Sequence, residues 1–199
     1  MGGLLGKKKK SGSKKPSLLS ILAIGNSAAG KTALIVSYQG KEFENQMMTV
    51  ATEYVLVDKT IKNNKNEESI VKIKIWDSPG QERFKDIISS AIKNTQGIFL
   101  VFDITNKQSF TDLQNWIAKV NSFQDVKSFP FILIANKIDL EEERTISSEE
   151  CQEFAKNNNL PCFETSAKTG KGVHEAFDCL INKVLSTNDK NGSNNFVIQ

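Results

Sequence analysis

The chain has 199 residues, 39% hydrophobic and 25% charged, enough for one globular domain that buries roughly 70% of its unfolded surface. Six lysines and no acid lie in residues 1–16, leaving 20 basic against 23 acidic residues beyond; behind the net +3 is a globular part of about −3 with no general affinity for nucleic acid. Cys151, Cys162 and Cys179 lack metal-ligand spacing and read as reduced residues of an intracellular protein, and a single histidine, His174, excludes a histidine-dependent catalytic scheme.

In chain order, residues 1–16 read as a basic disordered arm, 17–186 as one domain and 187–199 as a short polar tail. Strand-like runs at 18–24, 54–62, 70–76, 97–103, 131–136 and 161–165 alternate with helical patterns near 31–38, 84–94, 109–122, 147–157 and 173–184. The alternation predicts an α/β fold with a mostly parallel six-stranded sheet and helices on both faces. The runs 54–62 and 70–76 have no helix between them, so they predict a hairpin around the polar residues 63–67, its antiparallel member an edge strand. Ser147 and Glu150 have capping-box spacing, and His174 opens the last helix on its exposed side. No internal repeat and no apolar run of transmembrane length is present.

The first motif is Gly25-Asn26-Ser27-Ala28-Ala29-Gly30-Lys31-Thr32, between an apolar strand and a helix. A backbone wrapped closely around a polyphosphate excludes side chains at its tightest points, so Gly25 and Gly30 bracket a turn of inward-facing N–H groups. Lys31 offers a positive charge to the β and γ phosphates. Thr32 places a hydroxyl where Mg2+ binds, and the next helix aims its positive end at the anion. Without the Lys-Thr pair the segment would read as an ordinary strand-to-helix turn. The second motif, Trp76-Asp77-Ser78-Pro79-Gly80-Gln81, again closes a strand. Asp77 can hold a metal-bound water and Gly80 admits close approach to a γ phosphate. Gln81 can orient an attacking water without competing electrostatically with the phosphate; alone it would read as a solvated loop residue.

The third motif, Asn136-Lys137-Ile138-Asp139, follows the strand-like run that ends at Ala135. A carboxylate there accepts from guanine N1–H and the N2 amine together, a donor pair that adenine lacks, so Asp139 selects guanine. Four residues alone also occur in surface turns, but Ser166-Ala167-Lys168 after the last strand supplies a small loop able to meet the base oxygen through backbone N–H. All four motifs fall at carboxyl ends of predicted strands, where ligands of such sheets bind.

Over residues 17–186 the chain resembles a small GTPase of the Ras superfamily, closest to the Rab branch, through these motifs, residues 72–84 and 97–105, Ser109-Phe110 with Trp116, and residues 164–168. The resemblance implies a GTP-hydrolysing switch with Mg2+ as cofactor, cycling between GDP and GTP states in membrane trafficking. It assigns Thr49 to the metal and to γ-phosphate sensing, and Phe43 to packing beside the guanine. It also implies effectors bound through residues 49–54, Trp76 and the second switch, together with an exchange factor and an activating protein. Several positions depart from the family pattern: Pro79 replaces a small alanine, Gln46 a tyrosine and Ala51 a glycine, and the first switch is one residue short. Ala91-Ile92 replace paired tyrosines, so Tyr54 and Trp76 keep two of three effector positions.

At the termini, no cysteine follows Cys179, so C-terminal prenylation is not expected. Met1-Gly2 with the lysines up to residue 15 partly matches an N-terminal myristoylation pattern, with Gly6 where serine or threonine is preferred. An acyl chain at Gly2 plus the polybasic arm would hold an anionic membrane on its cytosolic face, reversibly. A nuclear-import or nucleic-acid tail, and a merely solubilising arm, are the rival readings of these lysines. The chain is expected to be monomeric. The rival to the whole assignment is a nucleotide-binding interaction module with little or no hydrolysis; a P-loop kinase is disfavoured by Asn136 and Asp139 and by the lack of a lid-like basic segment.

Overall fold

The computed structural model describes residues 18–42, 53–63, 68–79, 91–122, 129–189 and 196–197. Strand β1 (Leu18–Ile24) leads into α1 (Lys31–Tyr38), and β2 (Glu53–Asn63) pairs antiparallel with β3 (Glu68–Asp77). Then follow β4 (Gly97–Asp103), α2 (Lys107–Thr111), α3 (Leu113–Ser122), β5 (Phe131–Asn136), a 3-10 helix (Ile138–Glu143), α4 (Ser148–Asn157), β6 (Cys162–Thr165) and α5 (Val173–Asp189). The two-residue β7 (Phe196–Val197) completes the order β6-β5-β4-β1-β3-β2-β7.

The expected mostly parallel sheet is present. β1 lies parallel between β3 and β4, and β4-β5-β6 continue parallel. Central strands of such a sheet are buried on both faces, and all seven residues of β4 are buried. Its alternate residues feed different cores. Phe99 and Val101 join α1 and α5 through Leu34, Phe177 and Leu180, while Ile98, Leu100 and Phe102 join Leu113, Trp116 and Val120 of α3. Ala91 and Ile92, the departures from the paired tyrosines, are buried in the second core, where aromatic surface contacts are not available to them.

Three details differ from the sequence expectation. The helix expected at 109–122 begins two residues earlier, at Lys107, and is interrupted at Asp112, where the backbone stays right-handed and the carboxylate accepts from Asn26 Nδ2. β7 adds a seventh strand, antiparallel to Lys62 and Asn63 at the end of β2, and α5 runs on to Asp189; both draw on the stretch read as a polar tail. The 3-10 helix after Lys137 was not anticipated. The capping box forms as its spacing required: Ser147 Oγ accepts from Glu150 N–H, and the Glu150 carboxylate accepts from Ser147 N–H. The tip of the β2-β3 hairpin, residues 64–67, and most of the helix expected at 84–94 lie outside the described residues.

Candidate functional site

The site is assembled along one edge of the sheet, because β1, β3, β4, β5 and β6 all end there. In the loop after β1, Gly25 has φ 144°, and a Cβ on it would lie 2.0 Å from the Val101 carbonyl oxygen of β4. Gly30 has φ 90°, and a Cβ there would lie 2.3 Å from Asn136 Nδ2. Only glycine meets both demands, and the cradle a side chain would fill stays open. Ala28, at φ 61°, holds a left-handed conformation that costs a non-glycine residue about 1 kcal/mol.

Lys31 turns back over this loop and donates to the carbonyls of Gly25 and Asn26 at 3.0 and 2.8 Å. It is 5% exposed, and burial lowers its pKa to about 8 against the opposing pull of Asp77. A cation so desolvated is one that an anion in the loop would stabilise. Beside it the Thr32 hydroxyl donates to Asp77 Oδ2 at 2.6 Å, so two hard oxygen donors from α1 and β3 meet at the mouth of the loop. That donor set fits Mg2+, which takes oxygen ligands. Ser78 Oγ donates to the Ala23 carbonyl at 2.6 Å and fastens the end of β3 to β1.

At the other side, Asn136 is fully buried and joins three segments. Its Nδ2 donates to the Ala29 carbonyl at 3.0 Å, and its Oδ1 accepts from Thr165 Oγ1 at 3.1 Å and Ala167 N–H at 3.2 Å. The Ala167 N–H, one candidate for the base oxygen, is therefore already engaged. Lys137 adopts φ 72°, and its ammonium pairs at 2.6 Å with Asp103, 8% exposed at the end of β4. Asp139 is exposed and oriented by Ser166 Oγ, which donates to Oδ1 at 2.6 Å and itself accepts from Thr169 N–H. Lys168 is exposed next to it.

The structure thus gathers Gly25, Asn26, Ser27, Ala28, Ala29, Gly30, Lys31, Thr32, Asp77, Asn136, Lys137, Asp139, Ser166, Ala167 and Lys168 at one sheet edge. Phe43, Thr49, Gly80 and Gln81 lie outside the described residues. Two sets of partners were not found from sequence. One is Asp103, which also accepts from Thr105 N–H and Oγ1; its signal was an acid closing an apolar run. The other holds Asn26: its Oδ1 accepts from Trp116 Nε1–H at 2.8 Å, and its Nδ2 donates to Asp112 Oδ2 at 2.7 Å. Among the described residues there is no group of three or more His, Cys, Asp or Glu able to hold a metal by itself, and no helix long and apolar enough to cross a membrane.

Comparison with known proteins decides the family. The Ras family model matches residues 20–186. The chain belongs to the Ras family. Similar relatives carry Rab names: Ras-related protein Rab-18 of Caenorhabditis briggsae is 36% identical over 86% of this chain and 82% of its own length. Ras-related protein Rab-9A of Homo sapiens is 34% identical over 88% and 87%, and RABG3f of Arabidopsis thaliana 33% over 89% and 87%. Membership makes the chain a Rab-like GTP-binding switch protein, of a family that binds GTP or GDP with Mg2+ and works with effectors, exchange factors and activating proteins.

Proposed function

We propose that residues 17–186 form a Mg2+-dependent GTPase domain that hydrolyses GTP slowly by itself and acts as a switch in membrane trafficking. The observation that carries this reading is the Asn136 bridge, which ties the phosphate loop at Ala29 to the loop at Ala167, so that the two ends of one nucleotide meet a single preformed frame. Asp139, steered by Ser166, accepts from the guanine edge. Lys31 stabilises the β and γ phosphates, its unfavourable burial relieved by their charge. Thr32 and Thr49 would hold Mg2+, with Asp77 beside Thr32; when bound, the ion would neutralise charge on the phosphate oxygens. Phe43 flanks the base, Gly80 admits the γ phosphate, and Gln81 orients the water whose oxygen attacks the γ phosphorus as the bond to the β-phosphate oxygen breaks. Positioning and preorganised charge supply the rate.

Effector binding through residues 49–54 and Trp76 is supported by an aromatic pair at the sheet surface: exposed Tyr54 packs edge-on to half-buried Trp76 at 5.1 Å, with Lys74 Nζ over both rings. The basic residues 1–15, with an acyl chain at Gly2, contact an anionic membrane. Flotation with phosphatidylserine vesicles and intact mass from a eukaryotic host test this. Binding unchanged by Gly2→Ala, or an unmodified Gly2, defeats the lipid claim.

Single-turnover GTP hydrolysis beside Gln81→Leu tests the main reading. Slow turnover lost in the variant is expected, with an activating partner adding about 10³ to 10⁵. The second reading, a binding module without hydrolysis, draws on Pro79, which is buried, fixes φ and offers no N–H beside the γ-phosphate loop. Tight GTP binding with no turnover in either protein would favour it.

A further inference from the structure

Two cysteines away from the loop cluster stand closer than packing requires. Cys151 lies in the first turns of α4 and Cys162 opens β6, and their Sγ atoms are 2.6 Å apart. Both are free thiols. A disulfide bond is about 2.05 Å long, and the fold already sets the two sulfurs against each other, so closure asks for no rearrangement of α4 or β6. The two differ in access: Cys151 is 1% exposed, whereas Cys162 is only partly buried.

We propose that Cys151 and Cys162 are a redox modification site that closes into a reversible disulfide in the presence of a peroxide, tying α4 to β6. The Cys162 thiolate attacks one peroxide oxygen, the O–O bond breaks, and hydroxide leaves to become water after taking a proton; Cys162 is then a sulfenic acid. Cys151 sulfur attacks that sulfur, the S–S bond forms as the S–O bond breaks, and the departing hydroxide leaves as water with the Cys151 proton. Two electrons pass from the thiol pair to the peroxide, and exchange with a reduced thiol reverses the step. The order follows from the environment: the hydrogen bond with Cys162 and burial hold the Cys151 thiol protonated, so it resolves and does not initiate.

The location gives the bond a consequence. β6 and α4 are already joined where Glu164 accepts from Ser148 Oγ at 2.6 Å and from Arg144 Nη1 at 3.1 Å. β6 then ends at Thr165, which holds Asn136, and runs into Ser166. The disulfide adds a covalent tie at the opposite end of the same short strand, restricting the element that carries the base-side loop.

The test treats the full chain with graded hydrogen peroxide, alkylates it under denaturing conditions and reads intact and peptide masses, so it does not depend on the nucleotide reading. The expected product is lighter by about 2 Da, with Cys151 and Cys162 protected from alkylation, Cys179 alkylated, full reversal by dithiothreitol, and Tm raised by roughly 5 to 10 °C. Cys179→Ser must still form it. Cys162→Ser must not, and Cys151→Ala must leave a sulfenic acid at Cys162 that dimedone traps. Gain of about 16 or 32 Da at Cys162 of the unaltered chain without the 2 Da loss, a disulfide that uses Cys179, or alkylation of all three thiols after peroxide overturns the proposal.

Discussion

Replacing Asn136 by alanine tests the frame on which the proposed site rests. The side chain is wholly buried and makes three hydrogen bonds of 3.0 to 3.2 Å, to Ala29, Thr165 and Ala167. Its removal leaves a carbonyl, a hydroxyl and an N–H without that partner in a dry interior, at about 1 kcal/mol or more each, so Asn136→Ala should lose about 3 to 5 kcal/mol. Against a total stability of about 5 to 15 kcal/mol that is a large fraction, and at about 2 to 4 °C per kcal/mol it lowers Tm by roughly 6 to 20 °C. Urea unfolding of nucleotide-free protein is the assay, because ligand linkage then does not enter. Asn136→Asp keeps both accepting contacts but sets a carboxylate oxygen against the Ala29 carbonyl. A proton on that carboxylate restores the donor, so the folded state raises its pKa, and the variant should lose stability as pH rises from about 5 to 8. A loss under about 1 kcal/mol for Asn136→Ala, or no pH dependence for Asn136→Asp, would refute the bridge as the link between the loops.

Lys31 falls to a pKa of about 8 in the fold from the ordinary 10.5, so between these values the unfolded chain binds more protons; stability of nucleotide-free protein should rise across that window, and Lys31→Met should flatten the rise while abolishing GDP binding. Thermal melts from pH 7 to 10.5 check the sign. Gly25→Ala drives a Cβ to 2.0 Å from the Val101 carbonyl at a φ unsuited to alanine, so it should yield insoluble or unfolded chain by circular dichroism. Ser166→Ala removes the 2.6 Å hydrogen bond that orients Asp139, and should weaken fluorescent GDP binding about tenfold with little change in Tm.

Much of this molecule could be read in its chain. The strand pattern and the capping box at Ser147 are local devices, set by spacing along a few residues, and they stand where the pattern puts them. The same holds for the phosphate loop, since the glycine spacing, the Lys-Thr pair and the flanking strand and helix are contiguous. The partner of the Asp112 carboxylate was not legible, because Asn26, which donates to it, is far away in sequence. β7 escaped because two residues carry no periodicity.

The sequence by itself determined the elements, their alternation and the residue types at each strand end, because backbone preference and hydrophobic period act over short distances. Only the tertiary structure decided which strand ends are neighbours. Placing β4 between β1 and β5 sets Val101 against Gly25 and Asp103 beside Lys137, and placing β6 beside β5 brings Thr165 and Ala167 onto Asn136. The Cys151–Cys162 approach likewise arises only when α4 packs on β6. Crossover connections in a parallel sheet carry no local mark of sheet order or register, so contacts between strand ends follow from burial on both faces of the whole sheet and not from any one segment.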